Sequence, residues 1–522
     1  MNALLLNPAL PLSFWSLDTI GRRQGGKALA APLSLVTLAA LLPQDWNPRL
    51  IDLNAGGSVS EEDWAWADTV LITGMLVQKA GLLDLVRKAK RRGKTVVCGG
   101  PCPTSQPEDV IEAGCDILVK GEAEYLMPAL LEALEAGGTG RVIEGDQKPE
   151  MADSPTPRFD LLNMDRYLSM TVQTSRGCPY ECEFCDITNL YGRRPRYKSP
   201  AQIIDNLDAL YGLGWRGAIF ICDDNFIGDK KYARDLLEAM LAWQEAHGMP
   251  FDFMTQASLE LGQNPELIDL MTAANFMTVL VGVESPDEEV LRSVHKHQNV
   301  RNPLAESLIN LYTNGLDVIP SFVIGFDGEK PGAGQRLIDF VEHTHIPVVA
   351  LNTLHILPNT KLWDRLEAEG RLVTERTYGD TVVGGFNFVP TRPREEIYGE
   401  FVQVWETLYD PTNFMRRAFA YYRAMRPTRK ALAEKKGEAA PVTSRGREEK
   451  RGGQYNNLKA FLGLSLNWGL RKKSRGLYWR QLVWMRRRHP SRTVKYLSAL
   501  GWGENLERLT GWMKSRAAEA LK

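Results

Sequence analysis

Three cysteines fall within eight residues. Cys178, Cys182 and Cys185 carry the spacing C-x3-C-x2-C in the segment Thr174-Ser175-Arg176-Gly177-Cys178-Pro179-Tyr180-Glu181-Cys182-Glu183-Phe184-Cys185. Thiolates suit iron–sulfur clusters, and one loop with three of them can fold around a cubane. No fourth cysteine stands nearby, so one iron keeps an open position where a small molecule can bind and react. The competing use is a zinc knuckle, but zinc wants four ligands and the first histidine of the chain is His247. Seven cysteines, an odd number with three crowded together, make a poor disulfide framework and a good metal site. The expected compartment is a reducing cytoplasm.

Such a loop must be held by a rigid frame. The chain has 522 residues, a formal net charge of -1, 44% hydrophobic and 24% charged residues. That is ordinary for a globular protein of two or three domains and gives no sign of nucleic-acid binding. Met1-Asn2-Ala3-Leu4-Leu5-Leu6-Asn7-Pro8 lacks a basic n-region and reads as a buried strand; no apolar run reaches membrane-spanning length. The pattern predicts an α/β protein. Residues 1–140 alternate five strands with helices, a doubly wound parallel sheet of Rossmann type. A linker over 141–170 leads to six βα steps over 171–370, a partial (β/α)6 barrel. A mixed extension is expected at 371–425, a flexible charged linker at 426–453 and a basic helical region at 454–522. Residues 423–522 hold about two dozen Lys and Arg against seven Asp and Glu.

The cysteine segment directly follows a predicted strand, and with it the barrel resembles the radical S-adenosylmethionine (SAM) superfamily. That resemblance implies a [4Fe–4S] cluster on Cys178, Cys182 and Cys185 with SAM on its open iron. It implies that Phe184 lies against the adenine. Phe220-Ile221-Cys222-Asp223-Asp224-Asn225-Phe226 stands where the family has an acidic turn for the SAM amine, on Asp224 or Asp223. Gln256 and Glu284, the latter in Val281-Gly282-Val283-Glu284-Ser285, are further SAM contacts on this reading. Ile324 and Gly325, in Phe322-Val323-Ile324-Gly325-Phe326-Asp327-Gly328, resemble the adenine-side turn. The acidic turn departs from the more usual Gly-Gly-Glu.

A doubly wound domain ahead of such a barrel resembles the cobalamin-dependent members of the superfamily. Thr73, Gly74, Met75, Gln78, Gly99, Gly100, Pro101, Gly121 and Glu122 would then face the cobalamin, the glycines letting backbone approach closely. Residues 1–246 contain no histidine, so cobalt would lack a His ligand from this domain and would face water, Met75 or Leu76. Cys98, Cys102 and Cys115 read as small buried hydrophobes.

The stretches 186–196, 223–228 and 355–363 are similar to the hopanoid C-2 methylase subgroup, over about residues 1–400. The resemblance implies a methyltransferase that methylates an unactivated carbon, using a 5′-deoxyadenosyl radical and methylcobalamin. Its substrate is a small molecule or a lipid such as a hopanoid, and its electron donor a flavodoxin or ferredoxin. The alternative is a cobalamin-dependent cyclase or rearrangement enzyme that transfers no methyl. The tail after 425 reads as particular to this chain. Its Trp-bearing basic helices suit either peripheral association with an anionic membrane, at its inner face, or a helical lid or dimer contact packed on the barrel.

Overall fold

The computed structural model describes residues 1–14, 27–145, 147–373, 386–427 and 461–521. In chain order the strands are β1 (Asn2–Asn7), β2 (Ala28–Ala30), β3 (Asn47–Asp52), β4 (Thr69–Thr73), β5 (Thr95–Gly99), β6 (Ile117–Lys120), β7 (Arg141–Glu144) and β8 (Tyr167–Val172). They continue as β9 (Ser175–Arg176), β10 (Arg196–Tyr197), β11 (Ala218–Ile221), β12 (Asp252–Ala257), β13 (Phe276–Glu284), β14 (Asp317–Ile324) and β15 (Ala350–Thr353).

The N-terminal sheet is wholly parallel, in the order β3-β1-β4-β5-β6-β7. Its central strands are apolar on both faces because helices cover both. Leu4, Leu6, Val70, Ile72 and Val96 pack with Leu82 and Val86 of helix Lys79–Lys90. Ala3, Leu5, Leu71 and Val97 pack with Leu35 and Leu130 of helices Leu33–Leu41 and Ala123–Glu135. Uninterrupted apolar runs are what a doubly covered parallel sheet requires. Cys98, Cys102 and Cys115 are buried in the first of these layers.

The second sheet is a parallel half-barrel, β15-β14-β13-β12-β11-β8-β2. Local signals start its helices. Ser199 and Gln202 form a capping box at helix Pro200–Gly212, and the Asp229 carboxylate accepts from the Lys231 and Tyr232 amides at helix Lys230–Ala246.

The structure corrects several expectations. The first sheet has six strands, the sixth being β7, within the stretch expected as linker. The expected linker also contains the start of β8, at Tyr167. The half-barrel has its six expected strands plus β2, which pairs Ala28 with Tyr167 and Ala30 with Ser169. A three-residue strand seals that edge, too short to carry a period. The mixed extension contains helices Arg394–Leu408 and Pro411–Ala424. Of the flexible charged linker, residues 428–453 lie outside the described residues.

Helices Arg475–Arg488 and Thr493–Ala520 close the chain and share the barrel's core. Trp468, Tyr478, Met485, Tyr496 and Met513 are buried there, with Trp484, Trp502 and Trp512 partly buried against it. Lys495 pairs with Asp317 at the start of β14 at 2.8 Å. These contacts pack one face of the tail on the barrel. No helix among the described residues is long and apolar enough to cross a membrane.

Candidate active site

The cysteine loop leaves the C-terminal end of β8 and is tied at its base by β9 pairing with β10. Gly177 has φ +97°, and a Cβ there would meet the Gly192 carbonyl oxygen at 2.8 Å, so the first turn needs glycine. The Cys178 amide donates to Gly192 O (3.3 Å) and the Cys185 amide to Cys182 O (3.1 Å). Glu183 anchors the far side: its amide donates to Val294 O, its carbonyl accepts from the Leu362 amide, both at 3.0 Å, and its carboxylate pairs with Arg365 at 2.7 Å.

A cavity of about 1560 Å³ runs between the two sheets, and Cys178, Cys182 and Cys185 all line it. Burial pushes the Cys178 thiol up to about 11 and the Cys185 thiol higher still, so these groups become thiolates when a metal replaces the proton. Among the described residues no three His, Cys, Asp or Glu side chains are placed to hold a single metal ion. A cubane takes each thiolate on its own iron and asks for a wider spread of sulfurs. Two buried polar atoms of the wall also lack a partner among the described residues, Asn225 Nδ2 and Asn299 Oδ1. Orphaned donors and acceptors of this kind fit a polar ligand.

The expected SAM contacts divide. Phe184 lines the cavity and packs on Phe326 (centroids 5.6 Å apart), and Gln256 is exposed into the cavity. Asp224 lines it as well and accepts from the Gly177 amide at 2.9 Å; burial raises its pKa to about 7. Asp223 does not reach the cavity. It is fully buried, and its oxygens accept from the amides and hydroxyls of Thr174 and Ser175. Its carboxylate fastens the cysteine loop instead of waiting for a ligand, which removes it from the pair of candidate acids.

Ile324 and Gly325 do not line the cavity. The side chains of β14 that reach the cavity are Ile319 and Ser321, whereas Ile324 is buried in the core. A Cβ on Gly325 would meet the Phe386 ring at 2.8 Å, and its amide donates to Glu329. The tight approach serves packing with Phe386.

Glu284 lines the cavity in a left-handed conformation (φ 68°), and Lys296 Nζ sits 2.5 Å from its Oε1. Burial works against the Lys296 charge, but Glu284 outweighs it and the pKa ends above its ordinary value. Lys296 also lies 5.7 Å from the Phe184 ring, and Gln298 Nε2 donates to Cys182 Sγ at 3.5 Å. Lys296, Gln298 and Asn299, from the short helical turns after β13, are wall residues that sequence reading missed. Their usable signal was position: polar residues in a stretch just beyond a strand-end carboxylate.

Across the cavity stand Thr73, Gly74, Met75, Gln78, Gly99, Gly100, Pro101, Gly121 and Glu122, all at the carboxyl ends of β4, β5 and β6. Met75 is 59% exposed and projects into the space. Gly100 (φ +90°) lies so close to Thr73 Oγ1 that no side chain fits. Two side chains are already occupied. Gln78 accepts from the Met75 amide (2.9 Å) and donates to Pro8 O (2.6 Å), holding the β4 turn in place. Glu122 is ion-paired to Arg176 (2.7 Å) and Arg196 (2.6 Å), which locks the N-terminal domain onto the cysteine loop. An apolar slot lined by Leu38, Leu41, Leu71, Met127 and Leu130 opens from this side into the first domain.

Comparison with known proteins places this geometry. The Radical SAM superfamily model matches residues 172–341 and the B12 binding domain model residues 27–131. An uncharacterized methyltransferase of Synechocystis sp. is 46% identical over 419 residues, covering 80% of this chain and 78% of its own. The hopanoid C-2 methylase of Rhodopseudomonas palustris is 34% identical, covering 78% and 77%. The chain belongs to the cobalamin-dependent radical SAM methyltransferase family. Its fold is also that of OxsB, a cobalamin-dependent SAM radical enzyme solved with aqua-cobalamin (TM-score 0.59, 17% identity, covering 99% of this chain and 80% of OxsB). As a radical SAM enzyme of this family its cofactors are a [4Fe–4S] cluster, SAM and cobalamin. A third model, Domain of unknown function (DUF4070), matches residues 360–518. That match overturns the expectation that the tail after 425 is particular to this chain.

Proposed function

We propose that this radical SAM enzyme methylates an unactivated carbon of a small-molecule or lipid substrate held in the cavity between its two sheets. The observation that carries the reading is the continuity of that cavity: the cysteine loop and the strand ends of the B12-binding domain face one shared space. When bound, the cluster with SAM supplies a hydrogen-abstracting radical and cobalamin supplies the methyl group. Cys178, Cys182 and Cys185 hold the cluster, and Gln298 donates to the middle thiolate. Asp224 receives the SAM ammonium, Phe184 faces its adenine, and Gln256 and the Glu284–Lys296 pair complete its polar wall. Thr73, Gly74, Gly99, Gly100, Pro101 and Gly121, with the exposed Met75, would hold the cobalamin. The slot between Leu38 and Leu130 would hold an apolar part of the same cofactor.

The wall between the two cofactor sides is largely aliphatic, with Leu29, Leu33, Met254, Leu280, Ile319 and Leu357. Such a lining excludes water from a radical and favours an apolar substrate, a hopanoid-like lipid among them. The electron arrives from a flavodoxin or ferredoxin, and the enzyme works in the cytoplasm at the inner face of the membrane.

The test is anaerobic reconstitution of the whole enzyme, followed by counting SAM products on a hopanoid substrate. Methyl transfer yields 5′-deoxyadenosine and S-adenosylhomocysteine in equal amounts. Deoxyadenosine with no S-adenosylhomocysteine would sink the proposal in favour of a rearrangement. Reconstituted protein that retains no cobalamin would remove it altogether.

A further inference from the structure

The C-terminal helices show their inner face to the barrel, but their outer face is chemically unusual. Between Phe461 and Gly503 the sequence holds ten Lys and Arg and no Asp or Glu. Three of the ten are used internally: Lys472 pairs with Glu507, Lys495 pairs with Asp317, and Arg492 donates to the Arg423 and Met425 carbonyls. The remaining seven are exposed.

The same outer face carries an apolar stripe. Leu462, Leu466 and Leu470 recur every four residues along the helical stretch from 461, and they are 51%, 50% and 58% exposed. Trp479 continues it, 41% exposed, its indole Nε1 donating to Gly469 O at 3.0 Å and so seated beside Leu470. Val483, one turn further along the helix, is 45% exposed. Residues of the opposite face, Leu464, Trp468, Tyr478, Leu482 and Met485, are buried in the core. The fold therefore does not need the outer leucines, and a contiguous exposed patch of this kind marks an interaction surface.

We propose that this face docks on an anionic lipid bilayer, with Leu462, Leu466, Leu470, Trp479 and Val483 entering the headgroup boundary and the surrounding guanidinium and ammonium groups meeting lipid phosphates. Charge and shape choose the partner together. Cations without interspersed carboxylates match an anionic surface, while aliphatic side chains gain from hydrocarbon and nothing from a phosphate backbone. Tryptophan beside them suits the headgroup level. The surface lies apart from the cofactor cavity, so this docking stands whether or not methyl transfer is the reaction.

The test uses the full-length, cofactor-loaded enzyme sedimented with vesicles of phosphatidylcholine alone or mixed with phosphatidylglycerol. Binding to the anionic vesicles only is expected, weakening as salt is raised. The triple reversal Arg480→Glu/Arg486→Glu/Arg487→Glu should lower the partition coefficient at least about tenfold. Leu466→Asn/Leu470→Asn should lower it several-fold, with bound cobalamin and iron unchanged in both variants. Quenching of tryptophan emission by brominated lipid, lost in Trp479→Phe, reads the insertion without any charge change. Equal binding to both vesicle types, or partition indifferent to all these substitutions, would overturn the proposal. So would RNA binding in place of vesicle binding, or a dimer that the substitutions dissolve with no vesicle bound.

Discussion

The two walls of the cavity are built by opposite means. The barrel wall works through side chains: three thiols, a carboxylate near neutrality in Asp224, and the buried pair Glu284–Lys296. The B12-binding wall works through their absence. Gly74, Gly99, Gly100 and Gly121 leave backbone exposed at three strand-end turns, while Gln78 and Glu122 spend their polar groups on the protein itself. A small group with fixed charges needs matching charges; a broad flat ring needs clearance. The first wall should fail when a side chain is removed, and the second when one is added.

The largest effect is expected from Cys182→Ala. One lost thiolate leaves the cluster without a full set of protein ligands, so 5′-deoxyadenosine formation should fall below detection. Cobalamin retention, measured by absorbance after desalting, should not change. Loss of both cofactors together would mean that the walls are not separable. Next comes Lys296→Met, which strands Glu284 in a buried site. Breaking such a pair should lower the unfolding free energy by roughly 3 kcal/mol, read from urea denaturation of the cofactor-free protein. Adding Glu284→Gln to it should recover much of that loss. No recovery would show that Lys296 serves stability through some other contact.

The same contrast decided what could be read from the sequence. Chemistry carried by residue type was legible, since C-x3-C-x2-C and the apolar strand runs name their use. The turn after β11 was ambiguous because two adjacent aspartates differ only in direction. Thr174 and Ser175 take Asp223 inward, and only the cavity face is left to Asp224. Gly325 is ambiguous for a related reason, since a tight glycine turn records close approach but not of what; the Phe386 ring lies against it. Lys296 and Gln298 carried only a positional signal, because the turns after β13 have no periodic pattern. The tail was read from composition, which could not separate its buried face from its exposed one.

On the glycine wall the test is addition. Gly100→Val places a side chain against Thr73 at φ +90°. Strain and overlap of roughly 2 kcal/mol should weaken cobalamin binding about thirtyfold. The iron content should stay at the wild-type value. Met75→Ala, which removes a side chain from the same wall, should leave cobalamin retention within about threefold. A larger loss from Met75→Ala than from Gly100→Val would reverse the proposed division of labour.

The smallest expected effect lies in the pH dependence of Asp224, and its sign differs with and without ligand. Burial raises the folded-state pKa to about 7, above the ordinary carboxylate value. The cofactor-free fold therefore binds this proton more tightly than the unfolded chain does. The resulting stability is complete below the unfolded value and is lost as pH rises through about 7. SAM binding runs the other way, because its ammonium is attracted by the ionised form. Between about pH 6 and pH 8, SAM affinity of the cluster-loaded enzyme should rise by up to about tenfold, while the urea midpoint of the cofactor-free protein falls. Asp224→Asn should flatten both trends at once, leaving SAM weakly bound at every pH. If the stability trend flattens but the affinity trend persists, Asp224 shapes the fold of the barrel wall and another group meets the ammonium.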